Sequence, residues 1–109
     1  MKDISDMTTD QKTKMNKFFE IYEKHYNETS FTQLKDIDTL FFLYDKEYDI
    51  FVSFGRDLSE TIKNALKWNA PKTEIAGNKI DLDVNYLLEY LNINYEFYVI
   101  ALQYKPRLY

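Results

Sequence analysis

The run Tyr95-Glu96-Phe97-Tyr98-Val99-Ile100-Ala101-Leu102-Gln103-Tyr104 decides the fold that this sequence predicts. In a β-strand, residues i and i+2 share one face of the sheet, and here apolar side chains occupy both alternate sets of positions. A strand that is apolar on both faces is typical of the covered interior of a sheet. We therefore expect a central strand over residues 95–104 that is mostly buried on both faces and ends before Pro106.

Two further runs predict a β-hairpin beside that strand. Residues 37–44 and 48–54 are rich in β-branched and aromatic side chains, which favour strands. The charged link Asp45-Lys46-Glu47 between them is short enough for a hairpin turn. The second run alternates between two faces, as a half-exposed strand should.

Helical spacing predicts three helices. Thr8-Thr9-Asp10-Gln11 is a capping box, and it precedes an apolar stripe at helical spacing, which predicts a helix over residues 8–27. A second capping box, Asp57-Leu58-Ser59-Glu60, begins a helix over 58–69, and Asp83 caps a short third helix over 84–92. The stripe of the first helix consists of Met15, Phe18, Phe19, Tyr22 and Tyr26.

Two segments are open to more than one interpretation. Ser30-Phe31-Thr32-Gln33 repeats the capping pattern and indicates a single helical turn at most. Gly77-Asn78 lies between two short runs within residues 73–82, which form either a small hairpin or an irregular loop.

The order of these elements predicts one α+β domain over residues 8–109. Its sheet is expected to be mainly antiparallel, with three to five strands and about three helices packed on one face. A length of 109 residues suits a single domain. Residues 1–7 have no periodicity and are expected to be flexible.

Composition excludes several classes of protein. The absence of Cys excludes disulfide scaffolds, thiolate metal sites and thiol catalysis. No apolar run approaches the ~20 residues of a membrane span, and residues 1–6 are too polar for a signal peptide. We therefore expect a soluble cytoplasmic protein of a bacterial cell. Abundant Phe, Tyr, Ile, Asn and Lys with only two Gly and two Pro indicate an AT-rich bacterial or phage genome.

Neither a metal site nor an enzyme motif is predicted. Asp81-Leu82-Asp83-Val84-Asn85 resembles the front of a calcium loop, but Tyr86 stands where that loop needs Gly and Asn92 where it needs Glu. The segment that starts at Asp45 fails in the same way. His25 is the only imidazole, and no nucleophile or phosphate-binding motif accompanies it. We expect no metal, no cofactor and no catalytic residues.

Acidic side chains crowd the predicted hairpin, where the local cations are Lys35 and Lys46. One explanation is that charges on an exposed strand discourage pairing between molecules. The functional hypothesis is that this acidic rim, with two tyrosines around its turn, binds a basic surface of another protein. The predicted partner-binding residues are Asp36, Asp38, Tyr44, Asp45, Glu47, Tyr48 and Asp49.

Charge also limits the classes of partner. With a net charge of -4 and only two arginines, Arg56 and Arg107, the chain is a poor candidate for direct nucleic-acid binding. The predicted function is therefore that of a non-enzymatic phage or mobile-element inhibitor of the anti-CRISPR, anti-restriction or immunity type. Such a protein blocks the basic nucleic-acid-binding surface of its target, such as a nuclease. A self-associating structural or regulatory subunit, for example a homodimer, is the alternative, and a metal- or carboxylate-dependent hydrolase is a third.

Overall fold

A computed structural model describes residues 1–68, 74–75, 78–79 and 94–102 of the chain. Its strands are β1 (Lys2–Asp3), β2 (Thr39–Asp45), β3 (Ile50–Gly55), β4 (Glu74–Ile75), β5 (Asn78–Lys79) and β6 (Tyr95–Ala101). Its α-helices are α1 (Thr9–Thr29) and α2 (Leu58–Trp68), and two short 3-10 helices span Ile4–Asp6 and Leu34–Asp36.

The main sheet has the strand order β1-β6-β2-β3, so β6 lies in its interior as predicted. β2 runs antiparallel to β6, from the pair Thr39 and Ala101 to the pair Asp45 and Tyr95. β2 and β3 form the predicted antiparallel hairpin. β1, in contrast, pairs with β6 in parallel, which makes the four-stranded sheet mixed. Residues 1–7 supply this strand and a 3-10 helix, and Met7 is buried.

α1 covers one face of the sheet and begins where the capping box predicts. The Gln11 backbone N–H donates to Thr8 Oγ1 at 3.1 Å, and the Thr8 backbone N–H donates to Gln11 Oε1 at 2.8 Å. The apolar stripe of the helix packs on the sheet; the Phe19 ring centroid, for example, is 5.2 Å from that of Phe54. The resulting core includes Met15, Phe19, Tyr26, Leu40, Phe42, Tyr44, Phe51, Phe54, Tyr98 and Ile100.

α2 lies along β3, the edge strand of the sheet, and its Trp68 ring stacks on that of Tyr22 in α1 at 4.6 Å. Ser53 Oγ donates to the Thr61 carbonyl oxygen at 2.7 Å, and Asn64 Nδ2 donates to the Phe54 carbonyl oxygen at 2.9 Å. At Gly55 the approach is so close that a Cβ atom would lie 2.7 Å from the Thr61 nitrogen. The glycine is therefore required by packing of the helix on the strand.

The predicted burial of β6 is found on one face. Tyr98 and Ile100 are buried under α1, whereas Phe97 and Val99 on the other face are half-buried and Ala101 is exposed. The reason is that α2 lies beside β3 and not beside β6. Because neighbouring strands are about 4.8 Å apart, β3 and β6 are separated by about 10 Å across β2.

The remaining predictions have separate outcomes. β4 and β5 pair antiparallel, so residues 73–82 contain the small hairpin rather than only an irregular loop. The short helical segment after α1 falls at Leu34–Asp36, just beyond the predicted turn.

The predicted helix over 84–92 and the end of the predicted strand, residues 103–104, lie outside the described residues. Within the described part of the chain, no helix combines the length and apolar character needed to cross a membrane. The fold class is α+β, as predicted.

Candidate protein-binding site at the hairpin turn

The turn between β2 and β3 is exposed along its whole length. We call residues 46–50 the hairpin tip; each of them is exposed, and Tyr48 has a relative exposure of 64%. Ile50 at the start of β3 is a second exposed apolar side chain in the tip. The tip thus presents both apolar and charged groups to solvent.

Asp45, the last residue of β2, forms the turn through its side chain and is 2% exposed. Its Oδ1 accepts hydrogen bonds from the backbone N–H groups of Glu47 at 2.9 Å and Tyr48 at 3.2 Å. An aspartate that binds backbone groups two and three residues later stabilises a turn. The sequence predicted that Asp45 contacts a partner, and the structure places it as a buried residue that forms the turn.

Asp49 joins the tip to α1. Its φ of 56° is left-handed, a conformation that Asp adopts more readily than most residues. Lys14 Nζ on α1 lies 2.7 Å from Asp49 Oδ2 and also donates to the Asp49 carbonyl oxygen at 3.1 Å. The hydrogen bond from Lys14, followed by one from Tyr44, holds the pKa of the Asp49 carboxyl below its ordinary value. The tip is therefore fixed at both of its ends.

Tyr44 supports the tip from within the core. The residue is buried, its hydroxyl donates to Asp49 Oδ1, and its ring lies edge-on to that of Tyr98 at 6.0 Å. Burial, and next the bond to Asp49, raises the pKa of the Tyr44 hydroxyl. Tyr44 positions Asp49, and the predicted direct contact between Tyr44 and a partner does not fit its burial.

Lysines pair with two acidic side chains near the tip, Asp49 and Glu96. Glu96 on β6 lies 3.1 Å from Lys2 Nζ and 4.0 Å from Lys46 Nζ, and Lys14 pairs with Asp49. Within the described residues, Glu47 forms no ion pair. Glu47 is therefore the acidic group of the tip whose charge is most available to a partner.

Asp36 and Asp38 do not belong to this site. Both are exposed, but they precede β2, whereas the tip follows it. The seven residues of β2 extend about 23 Å at ~3.3 Å per residue. Of the seven predicted contact residues, the structure therefore brings Glu47, Tyr48 and Asp49 together on an exposed surface.

Three residues of the site were not predicted from the sequence: Lys14, Ile50 and Glu96. Lys14 follows Asp10 by four residues, and the two side chains form an ion pair at 3.1 Å. That spacing predicts the ion pair between Asp10 and Lys14 within the helix, but no local sequence signal indicates the bond from Lys14 to Asp49. Glu96 could have been found as the one charged residue in the apolar run of β6.

His25 is the one imidazole of the sequence. It is exposed near the end of α1, and its ring lies edge-on to Trp68 at 5.9 Å and to Tyr22 at 6.4 Å. Among the residues that the structure describes, no three His, Asp or Glu side chains are grouped so that they could hold a metal ion.

No protein-family model, no curated protein and no solved structure matches this chain.

Proposed function

We propose that this protein is a small acidic interaction protein that binds a basic surface of a partner protein through its hairpin tip. The observation that carries the proposal is the exposure of Tyr48 on a turn whose backbone is fixed from two sides. Tyrosine is enriched among the residues that dominate binding energy at protein interfaces.

The fixed backbone favours binding because ordering a mobile loop costs free energy on association. Asp45 holds the N–H groups of Glu47 and Tyr48, and Lys14 holds Asp49. A tip held in this way presents Tyr48 and Ile50 with little further ordering. These two side chains would supply the apolar contact.

Charge supports a basic partner. The chain has a net charge of -4, and Glu47 extends from the tip without a described ion pair. Opposite potentials on two proteins raise the rate at which they associate. A nuclease or another nucleic-acid-handling protein has such a surface, and occupation of it by the tip would block nucleic-acid binding. That activity is the one expected of an anti-CRISPR, anti-restriction or immunity protein of a phage or mobile element.

Photo-cross-linking tests the proposal because it captures a partner of any identity. The photoreactive residue p-benzoylphenylalanine replaces Tyr48 in one variant and Ile21, which is 71% exposed on α1, in a matched control. Each variant is irradiated in an extract of the native host. We expect a protein that cross-links from position 48 but not from position 21, and whose nucleic-acid binding the wild-type protein abolishes.

Two outcomes would contradict the proposal. Cross-linking of position 48 only to a second copy of the chain would favour the self-associating subunit instead. Equal cross-linking from both positions would mean that the tip has no special role.

A further inference from the structure

Glu96 on β6 joins two parts of the molecule that are far apart in the sequence. Its Oε1 lies 3.1 Å from Lys2 Nζ on β1 and 4.0 Å from the Nζ of Lys46, the first residue of the hairpin tip. One carboxylate oxygen therefore faces two ammonium groups, one from each element.

The carboxylate of Glu96 is also held from the core. Its other oxygen, Oε2, accepts a hydrogen bond from the hydroxyl of the buried Tyr98 at 3.1 Å. Burial, and next the bond to Glu96, raises the pKa of the Tyr98 hydroxyl to about 12, so this hydroxyl stays protonated at neutral pH. The Glu96 side chain is 23% exposed, and a carboxylate that has lost much of its water needs a cation nearby.

Each of the two lysines belongs to a short, exposed element. β1 pairs with β6 at two positions, Lys2 with Tyr98 and Asp3 with Val99, and both of its residues are exposed. Lys46 is exposed, and its backbone N–H donates to the Asn94 carbonyl oxygen at 2.7 Å. Short exposed elements open locally at a low cost in free energy, so one ion pair is a substantial part of what holds them.

The two lysines affect each other through Glu96 in one of two ways. Lys2 could position the carboxylate for Lys46, and the two ion pairs would then support each other. This effect is small, because Tyr98 already holds the carboxylate. Repulsion between two like charges at one oxygen acts in the opposite direction. Competition between Lys2 and Lys46 is therefore the larger effect.

We propose that β1 and the hairpin tip compete for Glu96, so that release of β1 from the sheet strengthens the bond between Lys46 and Glu96 and fixes the tip more firmly. Coupling between two sites is reciprocal, so a contact that draws Lys46 away from Glu96 strengthens the hold of Lys2 on the same carboxylate. The competition needs no partner. Its meaning as a control on binding rests on the proposed function of the tip.

A double-mutant cycle in urea unfolding of the full chain measures the competition. Lys2→Met and Lys46→Met each leave Glu96 with one lysine, so each should lower the urea midpoint slightly. The double variant should lower it by more than the two single losses together. In the control cycle, Lys12→Met, at an exposed residue of α1, replaces Lys2→Met, and the losses should add. The Lys2 and Lys46 losses should also add in a Glu96→Gln background.

Amide hydrogen exchange shows where the competition acts. The Lys46 amide should exchange about twofold more slowly in Lys2→Met than in wild type, and Lys12→Met should leave its rate unchanged. Losses that add in the Lys2–Lys46 cycle, a double loss below the sum, or faster exchange at Lys46 in Lys2→Met would each overturn the proposal. An excess loss that persists in the Glu96→Gln background would do so too, because the coupling would not pass through Glu96.

These measurements use no partner. A failure of the cross-linking experiment at Tyr48 would therefore contradict the proposed function alone, and additive losses in the cycle would contradict the competition alone.

Discussion

Lys14 and Asp49 are 35 residues apart in the sequence, and Lys14 Nζ lies 2.7 Å from Asp49 Oδ2. The bond joins α1 to the turn of the hairpin, at a residue whose backbone is left-handed. Because Tyr44 binds the other oxygen of the same carboxylate, Asp49 is held from the helix and from the core. The proposed binding tip is therefore positioned by α1 and by the core.

Replacement of Lys14 by Met should loosen the tip with only a small loss of global stability, since both partners are exposed. Amide hydrogen exchange at Glu47 and Tyr48 should become faster. The effect should depend on pH, because the pKa of Asp49 is below its ordinary 3.8 and that of Lys14 is above its ordinary 10.5. Hydrogen bonds to Asp49, and next to Asp10, raise the pKa of Lys14. Wild type should exceed the variant in free energy of unfolding by the full contribution of the ion pair between pH 3.8 and 10.5.

The difference should be lost as the pH falls through the lowered pKa of Asp49 or rises through the raised pKa of Lys14. Lys12→Met is the control, since Lys12 is exposed on the same helix and makes no ion pair with the described residues. Equal exchange rates in the Lys14 and Lys12 variants would show that the ion pair does not hold the tip.

Tyr26→Phe should lower the free energy of unfolding by about 1–2 kcal/mol, because the hydroxyl of this buried residue donates to the Glu60 carboxylate. Burial, and next the bond to Glu60, raises the pKa of Tyr26, so the hydroxyl stays protonated in the folded protein. Tyr22→Phe, one turn earlier, is the control, since the Tyr22 hydroxyl has no hydrogen bond to the described residues. Urea unfolding that gives equal values for both variants would argue against the Tyr26–Glu60 bond.

Gly55→Ala tests the packing of α2 on β3. The added Cβ would lie 2.7 Å from the Thr61 nitrogen and 2.9 Å from Thr61 Oγ1, and the backbone atom cannot move aside as a side chain can. We expect a loss of about 1–3 kcal/mol in urea unfolding. A variant as stable as wild type would mean that α2 is not in such close contact with the strand.

Substitutions in β6 test the unequal burial of its two faces. Ile100→Asp places a charge in the core under α1 and should cost several kcal/mol, a large part of a total stability of about 5–15 kcal/mol. Val99→Asp, on the half-buried face, should cost clearly less. Thermal unfolding followed by circular dichroism measures both, and equal losses would contradict the difference between the faces.

The sequence predicted the elements whose signals are local. The Thr8 capping box and the apolar stripe that follows it contain the information for α1, and the β-branched and aromatic residues of 48–54 predict a strand there. The expected half-exposed alternation was wrong, because Phe51 to Gly55 of β3 are all buried. β1 could not be predicted, because a two-residue strand has no periodicity and its partner, β6, is more than 90 residues away. Such pairing is decided by tertiary packing.

The site was predicted in part for the same reason. Glu47 and Tyr48 are exposed as expected of polar turn residues, but Asp45 has the same local character and is buried. Its burial depends on the backbone N–H groups that compensate the carboxylate, and these become available only when the turn forms. Asp36 and Asp38 are close to the turn in sequence, and the extended strand between them and the turn separates them from it in space.

The central claim is that the hairpin tip binds a basic partner, and the association rate of Glu47→Lys with the protein captured from position 48 tests it most directly. Glu20→Lys is the matched control, because it makes the same change in charge at an exposed residue of α1. We expect the Glu47 variant to associate more slowly than wild type and with weaker salt dependence, and the Glu20 variant to change much less. Equal rates for both variants at low and high salt would contradict the claim.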